Sequence, residues 1–232
     1  MTSPEAQGFL EAKRAVQAIF FDLDGTLVDT DDAFLEAVAA KLERWRRVFR
    51  LQDPRPFLRR VTLAAEGPVN AIVTLLDTVG LDDNLFSIGD RLRRLRGLQV
   101  RGHFVPIDGV IDTLERLSRS YRLGLITTRS RADARSFVDQ FALESVLEVV
   151  STREDTRRLK PHPEPVRHAS ACLGLAPSQC VMVGDTQVDI ISAKAAGAYA
   201  VGVLCGFGER EELLEAGADL ILDHTSQLAD WL

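Results

Sequence analysis

Ala18-Ile19-Phe20-Phe21-Asp22-Leu23-Asp24-Gly25-Thr26-Leu27-Val28 runs from four apolar residues into two carboxylates one residue apart and then a glycine. A short, unalternated apolar run bounded by a turn signal reads as a strand buried on both faces, the pattern of a parallel sheet. Ionised carboxylates at the tip of such a strand repel each other and resist desolvation. A divalent cation with oxygen preference removes that penalty and leaves one carboxylate free to attack an electrophile. In an open parallel sheet the carboxyl ends of the strands are where ligands bind. The stretch therefore predicts a metal-dependent site at the tip of the first strand of an α/β domain.

Outward from it, further apolar runs predict strands at Val16–Phe21, Leu123–Ile126, Val146–Val150, Cys180–Val183, Ala200–Leu204 and Leu220–Leu222. Helical periodicity lies between most of them, at Val110–Leu117, Arg131–Phe141, Glu164–Leu173, Ile190–Ala196 and Arg210–Ala216. Strands alternating with helices argue for βαβ units and a doubly wound parallel sheet. One region breaks the alternation. Phe34, Val38, Leu42, Trp45 and Phe49 recur at helical spacing, as do Val69, Val73 and Leu76, then Leu85, Ile88, Leu92 and Leu95. These predict a helical cap domain over residues 31–102, inserted into a core of residues 14–30 and 103–232. Hinges are expected at Asp29–Asp32 and Gly102–Gly109. An insert there is placed to close over the carboxylates and exclude water.

The net charge of −6 argues against general nucleic-acid binding, although a metal and a few cations can still receive an anionic substrate. No apolar run approaches a bilayer span, and Met1 to Lys13 lack the apolar segment of a signal peptide, so a cytoplasmic location and no membrane partner are expected. Cys172, Cys180 and Cys205 show no metal or disulfide spacing and are expected as buried core thiols. Lys13, Lys41, Lys160 and Lys194 are the lysines of a chain whose basic residues are otherwise arginine.

Four stations follow the predicted strands. Asp22, at the first tip, is the candidate nucleophile. Asp24 is placed to protonate a leaving oxygen and then activate water, help that typically contributes about 10²–10⁴-fold in rate. Gly25 permits the turn between them and the following segment. Thr127-Thr128-Arg129-Ser130 offers a hydroxyl and exposed amides suited to a phosphate oxygen, though helix capping explains the same residues. Lys160, in Leu159-Lys160-Pro161-His162-Pro163, sits in a stiffened loop before a helix. Its ammonium there neutralises nucleophile and phosphate together. A solvated surface lysine is the alternative, and His162 beside two prolines reads as a loop residue. Val183-Gly184-Asp185 ends a further strand, with Asp189 four residues later. Asp185 is placed as an oxygen ligand for the cation, and Asp189, one helical turn on, as support for Lys160 or for metal-bound water.

These residues resemble the motifs of the haloacid dehalogenase-like (HAD) hydrolase superfamily. Asp22–Val28 is similar to its D-x-D-G-T-L-V motif, Thr127 to its second-motif Thr/Ser, Lys160 to its third-motif lysine, and Gly184–Asp189 to its G-D-x-x-x-D motif. The resemblance extends from Ala18 to about Val203. It implies a Rossmann-like core, an aspartyl-phosphate on Asp22, and Mg²⁺ held by Asp22, the Asp24 main-chain carbonyl and Asp185. It also implies Thr127 and Lys160 as holders of the transferring group and Asp24 as acid and base. Gly25, Thr128 and Arg129 are the expected substrate-binding positions, and Gly184 and Asp189 supporting ones. Thr128 stands where the family often has asparagine. The dehalogenases lack an aspartate at the position of Asp24, so Asp24 argues for phosphoryl chemistry. The insert resembles the cap of the phosphoglycolate phosphatase and β-phosphoglucomutase branch. Within it, Arg59 and Arg60, or the run Arg91, Arg93, Arg94, Arg96 and Arg101, are rival specificity candidates, and a solvated helix face also explains the run. The expectation is a Mg²⁺-dependent phosphatase of a small phosphorylated metabolite. A phosphomutase and a non-catalytic binding protein are the alternatives.

Overall fold

A computed structural model describes residues 15–29 and 104–232. The cap expected over 31–102, with its candidate arginines, lies outside the described residues, as does the Met1–Lys13 leader.

Six parallel strands make one sheet in the order β3-β2-β1-β4-β5-β6. They are β1 (Ala18–Phe21), β2 (Arg122–Ile126), β3 (Leu147–Ser151), β4 (Cys180–Gly184), β5 (Tyr199–Val203) and β6 (Leu220–Leu222). The connecting helices are α1 (Val110–Leu117), α2 (Arg131–Gln140), α3 (Glu164–Cys172), α4 (Gln187–Ala196), α5 (Arg210–Glu215) and α6 (Leu228–Trp231). The chain winds outward from β1 through β2 to β3, then returns to β4 on the other side and winds outward again. The reversal lies between β1 and β4, where a doubly wound sheet opens a crevice at its carboxyl edge.

The lack of alternation in β1 has a direct cause. Ile19 and Phe21 enter a core with Val110, Leu114 and Leu117 of α1 and Phe137 and Val138 of α2. Ala18 and Phe20 enter a second core with Val166 and Ala169 of α3, Ile190 and Ala193 of α4, and Leu213 of α5. Both faces of the strand are covered, so polar residues have no place in it. Each large side chain so buried contributes roughly 1.5–3 kcal/mol of transfer free energy, and truncating Phe21 to Ala is expected to cost about 3–5 kcal/mol.

Helix starts are set by local side-chain bonds. Ser130 Oγ accepts from Asp133 N–H at 3.2 Å and donates to Asp133 Oδ2 at 2.7 Å, fixing the start of α2. At α4 the helix begins at Gln187, three residues before the apolar periodicity suggested, because Thr186 and Asp189 close a capping box. The expectation of three buried thiols holds for Cys180 alone: Cys205 is half-buried and Cys172 exposed. Cys172 is the last residue of α3, exposed at the helix end with its Sγ 3.7 Å from His168 Nε2. Among the described residues, no helix is long and apolar enough to cross a membrane.

Candidate active site

Strand register brings the stations together. Phe21 is level with Leu125 of β2 and Val183 of β4, so Asp22, Thr127 and Asp185 leave the sheet at one edge. The Asp22 N–H donates to the Val183 carbonyl at 2.9 Å, which extends β1 to the carboxylate itself. Lys160 arrives on the segment between β3 and α3, at a cis Lys160–Pro161 peptide.

The Lys160 ammonium is 3 % exposed and donates in three directions: to Asp22 Oδ1 at 2.7 Å, to Asp189 Oδ1 at 2.5 Å and to the Ile126 carbonyl at 3.3 Å. An ammonium carries three donors, so the group is fully used. Burial alone would push its pKa down, but Asp189 and Asp22 outweigh that and raise it, keeping the charge on. Asp189 is fixed in turn by Thr186, whose Oγ1 donates to Oδ2 at 2.6 Å. The Asp189 side chain packs against Gly184, where a Cβ would overlap it. Asp22 shows the opposite balance. Its burial, opposed by Lys160 and reinforced by Asp189 and Asp24, raises its pKa to about 7.

Asp185 is completely buried. It accepts from Thr26 Oγ1 at 3.1 Å and from the Phe207 N–H at 2.9 Å. Burial, then the charges of Asp189 and Asp22, push its pKa well up. Gly25, at φ 74°, and Gly206 lie against this carboxylate, and a Cβ at either would overlap it. Asp22, Asp185 and Asp189 each offer an oxygen, and the three lie within 4.8 Å of one another. Three carboxylates share one ammonium, which pairs only with Asp22 and Asp189, and these hard oxygen donors suit a divalent cation such as Mg²⁺. Lys160 and Thr186 claim Asp189, so Asp22 and Asp185 are the better-placed ligands.

Asp24 is engaged elsewhere, and any part for it in ion binding falls to its main chain. Arg129 grips its carboxylate as a fork: Nε to Oδ2 at 2.8 Å and to Oδ1 at 3.0 Å, and Nη2 to Oδ1 at 2.5 Å. The guanidinium carbon stands 5.3 Å from the centre of the Phe104 ring. Burial works against the Arg129 charge, but Asp24, then Asp133 and Asp22, raise its pKa. Phe104 is itself held by Gln140, which accepts from its N–H at 2.8 Å and donates to its carbonyl at 2.7 Å. Thr127 is buried and its Oγ1 accepts from the Arg129 N–H at 3.1 Å, whereas Thr128 is exposed.

The predicted core positions thus lie at the carboxyl edge, and Arg129, expected as a substrate-binding position, meets Asp24. The sequence reading missed Thr26, Phe104, Gln140 and the Gly206-Phe207 pair. The last had a visible signal, because Cys205-Gly206-Phe207-Gly208 follows β5 as a glycine-bearing strand tip like the others.

Comparison with known proteins places this geometry. The profile of the haloacid dehalogenase-like hydrolases matches residues 19–203. Pyrophosphatase PpaX of Anoxybacillus flavithermus is 31 % identical over 217 residues, covering 92 % of this chain and 95 % of the relative. The Bacillus pumilus PpaX is 32 % identical over 218 residues, with coverage of 92 % and 94 %. Two solved structures show the same fold. A haloacid dehalogenase-like hydrolase from Streptococcus pneumoniae superposes with a TM-score of 0.68 at 23 % identity, over 94 % of this chain and 99 % of its own. CbbY from Rhodobacter sphaeroides, crystallised with phosphate, gives 0.61 at 22 % identity, over 92 % and 96 %. With the family profile running from β1 to β5 across every station described, this chain is a hydrolase of the haloacid dehalogenase-like family.

Proposed function

We propose that the chain is a Mg²⁺-dependent cytoplasmic phosphatase that hydrolyses a small phosphorylated compound through an aspartyl-phosphate on Asp22. The observation that carries the reading is the cluster of Asp22, Asp185 and Asp189 beyond the tips of β1 and β4, with the Lys160 ammonium held by Asp22 and Asp189. The PpaX relatives, named as pyrophosphatases, support inorganic pyrophosphate as the first substrate to try.

Lys160 fixes the rotation of the Asp22 carboxylate, so that one oxygen faces the crevice. That oxygen forms the new bond to phosphorus as the bond to the leaving oxygen breaks, and the leaving oxygen takes a proton from Asp24. Asp24, then a carboxylate, takes a proton from water. The water oxygen displaces Asp22 from phosphorus, releasing phosphate and restoring the nucleophile. Thr127 offers its hydroxyl to a phosphoryl oxygen, and the Lys160 charge, kept on Asp22 and Asp189, stabilises the transferring group through space, so positioning and charge do most of the catalysis. Mg²⁺, held by Asp22, Asp185 and the Asp24 carbonyl, would neutralise charge on the transferring group. The division into a core of residues 14–30 and 103–232 and a substrate-selecting helical cap over 31–102 belongs to this proposal and rests on sequence periodicity.

The test is phosphate release from a panel containing pyrophosphate, carboxylated monoesters and sugar phosphates, with Mg²⁺, with EDTA, and with Asp22→Asn. Release that needs Mg²⁺ and falls to background in the variant is expected. A folded, Mg²⁺-binding protein that releases phosphate from nothing, or only interconverts sugar-phosphate isomers, would overturn the reading.

A further inference from the structure

The Arg129–Asp24 fork is in the wrong place for a merely structural ion pair. Asp24 has to present an oxygen to the leaving group and then to water. In the structure both of its carboxylate oxygens accept from the same guanidinium. Three of its roughly four lone-pair sites are so occupied, which leaves little for either. The fork must open for each turnover, and an opening guanidinium needs another anion, because a charge in a partly buried site is costly to leave alone.

Where it goes is limited by geometry. Arg129 lies two residues beyond Thr127, whose hydroxyl accepts its N–H, so its backbone is tied to the phosphoryl end of the crevice. Its side chain, 29 % exposed, reaches out to Asp24, which is 27 % exposed. Lys160 by contrast is committed to Asp22, Asp189 and the Ile126 carbonyl and has no donor left for a second anion. A cation that touches the acid is beside the leaving oxygen, not beside the transferred phosphoryl group. The planar fork that fits a carboxylate bidentately fits two oxygens of a phosphate equally well.

We propose that Arg129 selects substrates whose leaving group carries its own anion: it is parked on Asp24 in the free enzyme and moves to that anion on binding, uncovering the acid. This deepens the phosphatase reading and rests on it. Exchange of one anion for another keeps the guanidinium paired throughout. A leaving group without an anion offers no such exchange, and Asp24 stays covered. With pyrophosphate the bridging P–O bond breaks as the Asp22 oxygen bonds to the attacked phosphorus. The departing phosphate takes the electron pair on the former bridging oxygen, receives the Asp24 proton there, and rests its remaining charge on Arg129. A monoester with a carboxylate in its leaving group meets the same requirement.

The experiment compares kcat/KM for pyrophosphate, for a carboxylated monoester and for p-nitrophenyl phosphate, in the full-length protein and in Arg129→Gln, with Mg²⁺. Loss of a charged, two-point hydrogen bond predicts that the pyrophosphate to p-nitrophenyl phosphate ratio falls about 10- to 100-fold, with KM for pyrophosphate carrying much of it. The carboxylated monoester falls in parallel if either anion serves, and is spared if the site is specific for phosphate. Arg129→Lys, which keeps the charge and loses the fork, recovers part of the ratio and gives the readout if the glutamine variant does not fold. An unchanged or increased ratio in the folded variants overturns the proposal. Failure of the unaltered protein to release phosphate from any of the three compounds overturns the phosphatase reading instead.

Discussion

Among the described residues, Lys160 and Arg129 at the carboxyl edge of this sheet each hold a carboxylate that the proposed chemistry needs. Lys160 is sealed between Asp22 and Asp189, with 3 % of its side chain exposed and Asp189 fully buried. Arg129 holds Asp24 in better geometry, yet both partners are more than a quarter exposed. Depth, not bond count, decides what each pair is for. A deep pair must be kept, since removing one partner strands a charge in low dielectric. A shallow one can open, because water and incoming anions compete for both groups. The largest effect should therefore come from breaking the deep pair. Lys160→Met is expected to lower unfolding free energy by about 3–5 kcal/mol, read by urea denaturation in EDTA, and to reduce phosphate release to background.

The metal side of the same knot sharpens the contrast. Gly206→Ala places a Cβ into the Asp185 carboxylate, an overpacking expected to cost roughly 1–3 kcal/mol. Mg²⁺ affinity, measured calorimetrically, should fall as well, because Asp185 has nowhere to retreat between Gly25 and Gly206. A Gly206→Ala protein with unchanged Mg²⁺ affinity would remove Asp185 from the ligand set. Acidity gives a related test. The Asp22 pKa is raised from 3.8 to about 7, and that of Asp185 is raised as well. In that window the folded chain binds more protons than the unfolded one, so stability falls as pH rises. In EDTA the thermal midpoint is expected to receive a downward contribution between about pH 4 and 7, which Mg²⁺ should shrink by competing with those protons. A midpoint equally steep with and without Mg²⁺ would argue that the cation binds elsewhere.

Most of the core was legible because its signals are local. Ala18–Phe21 had no room for polar alternation, and Asp22, Lys160 and Asp185 each stood beside a strand end or a proline turn that the chain itself announces. Sheet order and the meeting of Lys160 with Asp189 follow once the strands are parallel and doubly wound. What the sequence hid was contact between distant segments. Thr26 reaches Asp185 across 159 residues, and Arg129 reaches Asp24 across 105. Neither pairing leaves a periodicity or a spacing to read. The thiols failed for a related reason: a general tendency to burial could not say which way Cys172 faces on α3.

The smallest effect is the one that separates the two pairs most cleanly. Arg129→Gln should change unfolding free energy by no more than about 1 kcal/mol, since a part-buried pair that water still reaches gains little over hydrated ions. The loss of its stack on Phe104 adds to that only modestly, because the Phe104 ring keeps its edge contact with Phe137, at 5.6 Å between centres. Raising the salt concentration should weaken the fork in the unaltered protein and leave the Lys160 knot untouched, as screening reaches exposed charges first. Urea denaturation of both proteins at low and high salt measures this directly. A stability loss in Arg129→Gln as large as that in Lys160→Met would mean that the fork is a clamp of the fold. Asp24 would then have to work with the guanidinium still attached.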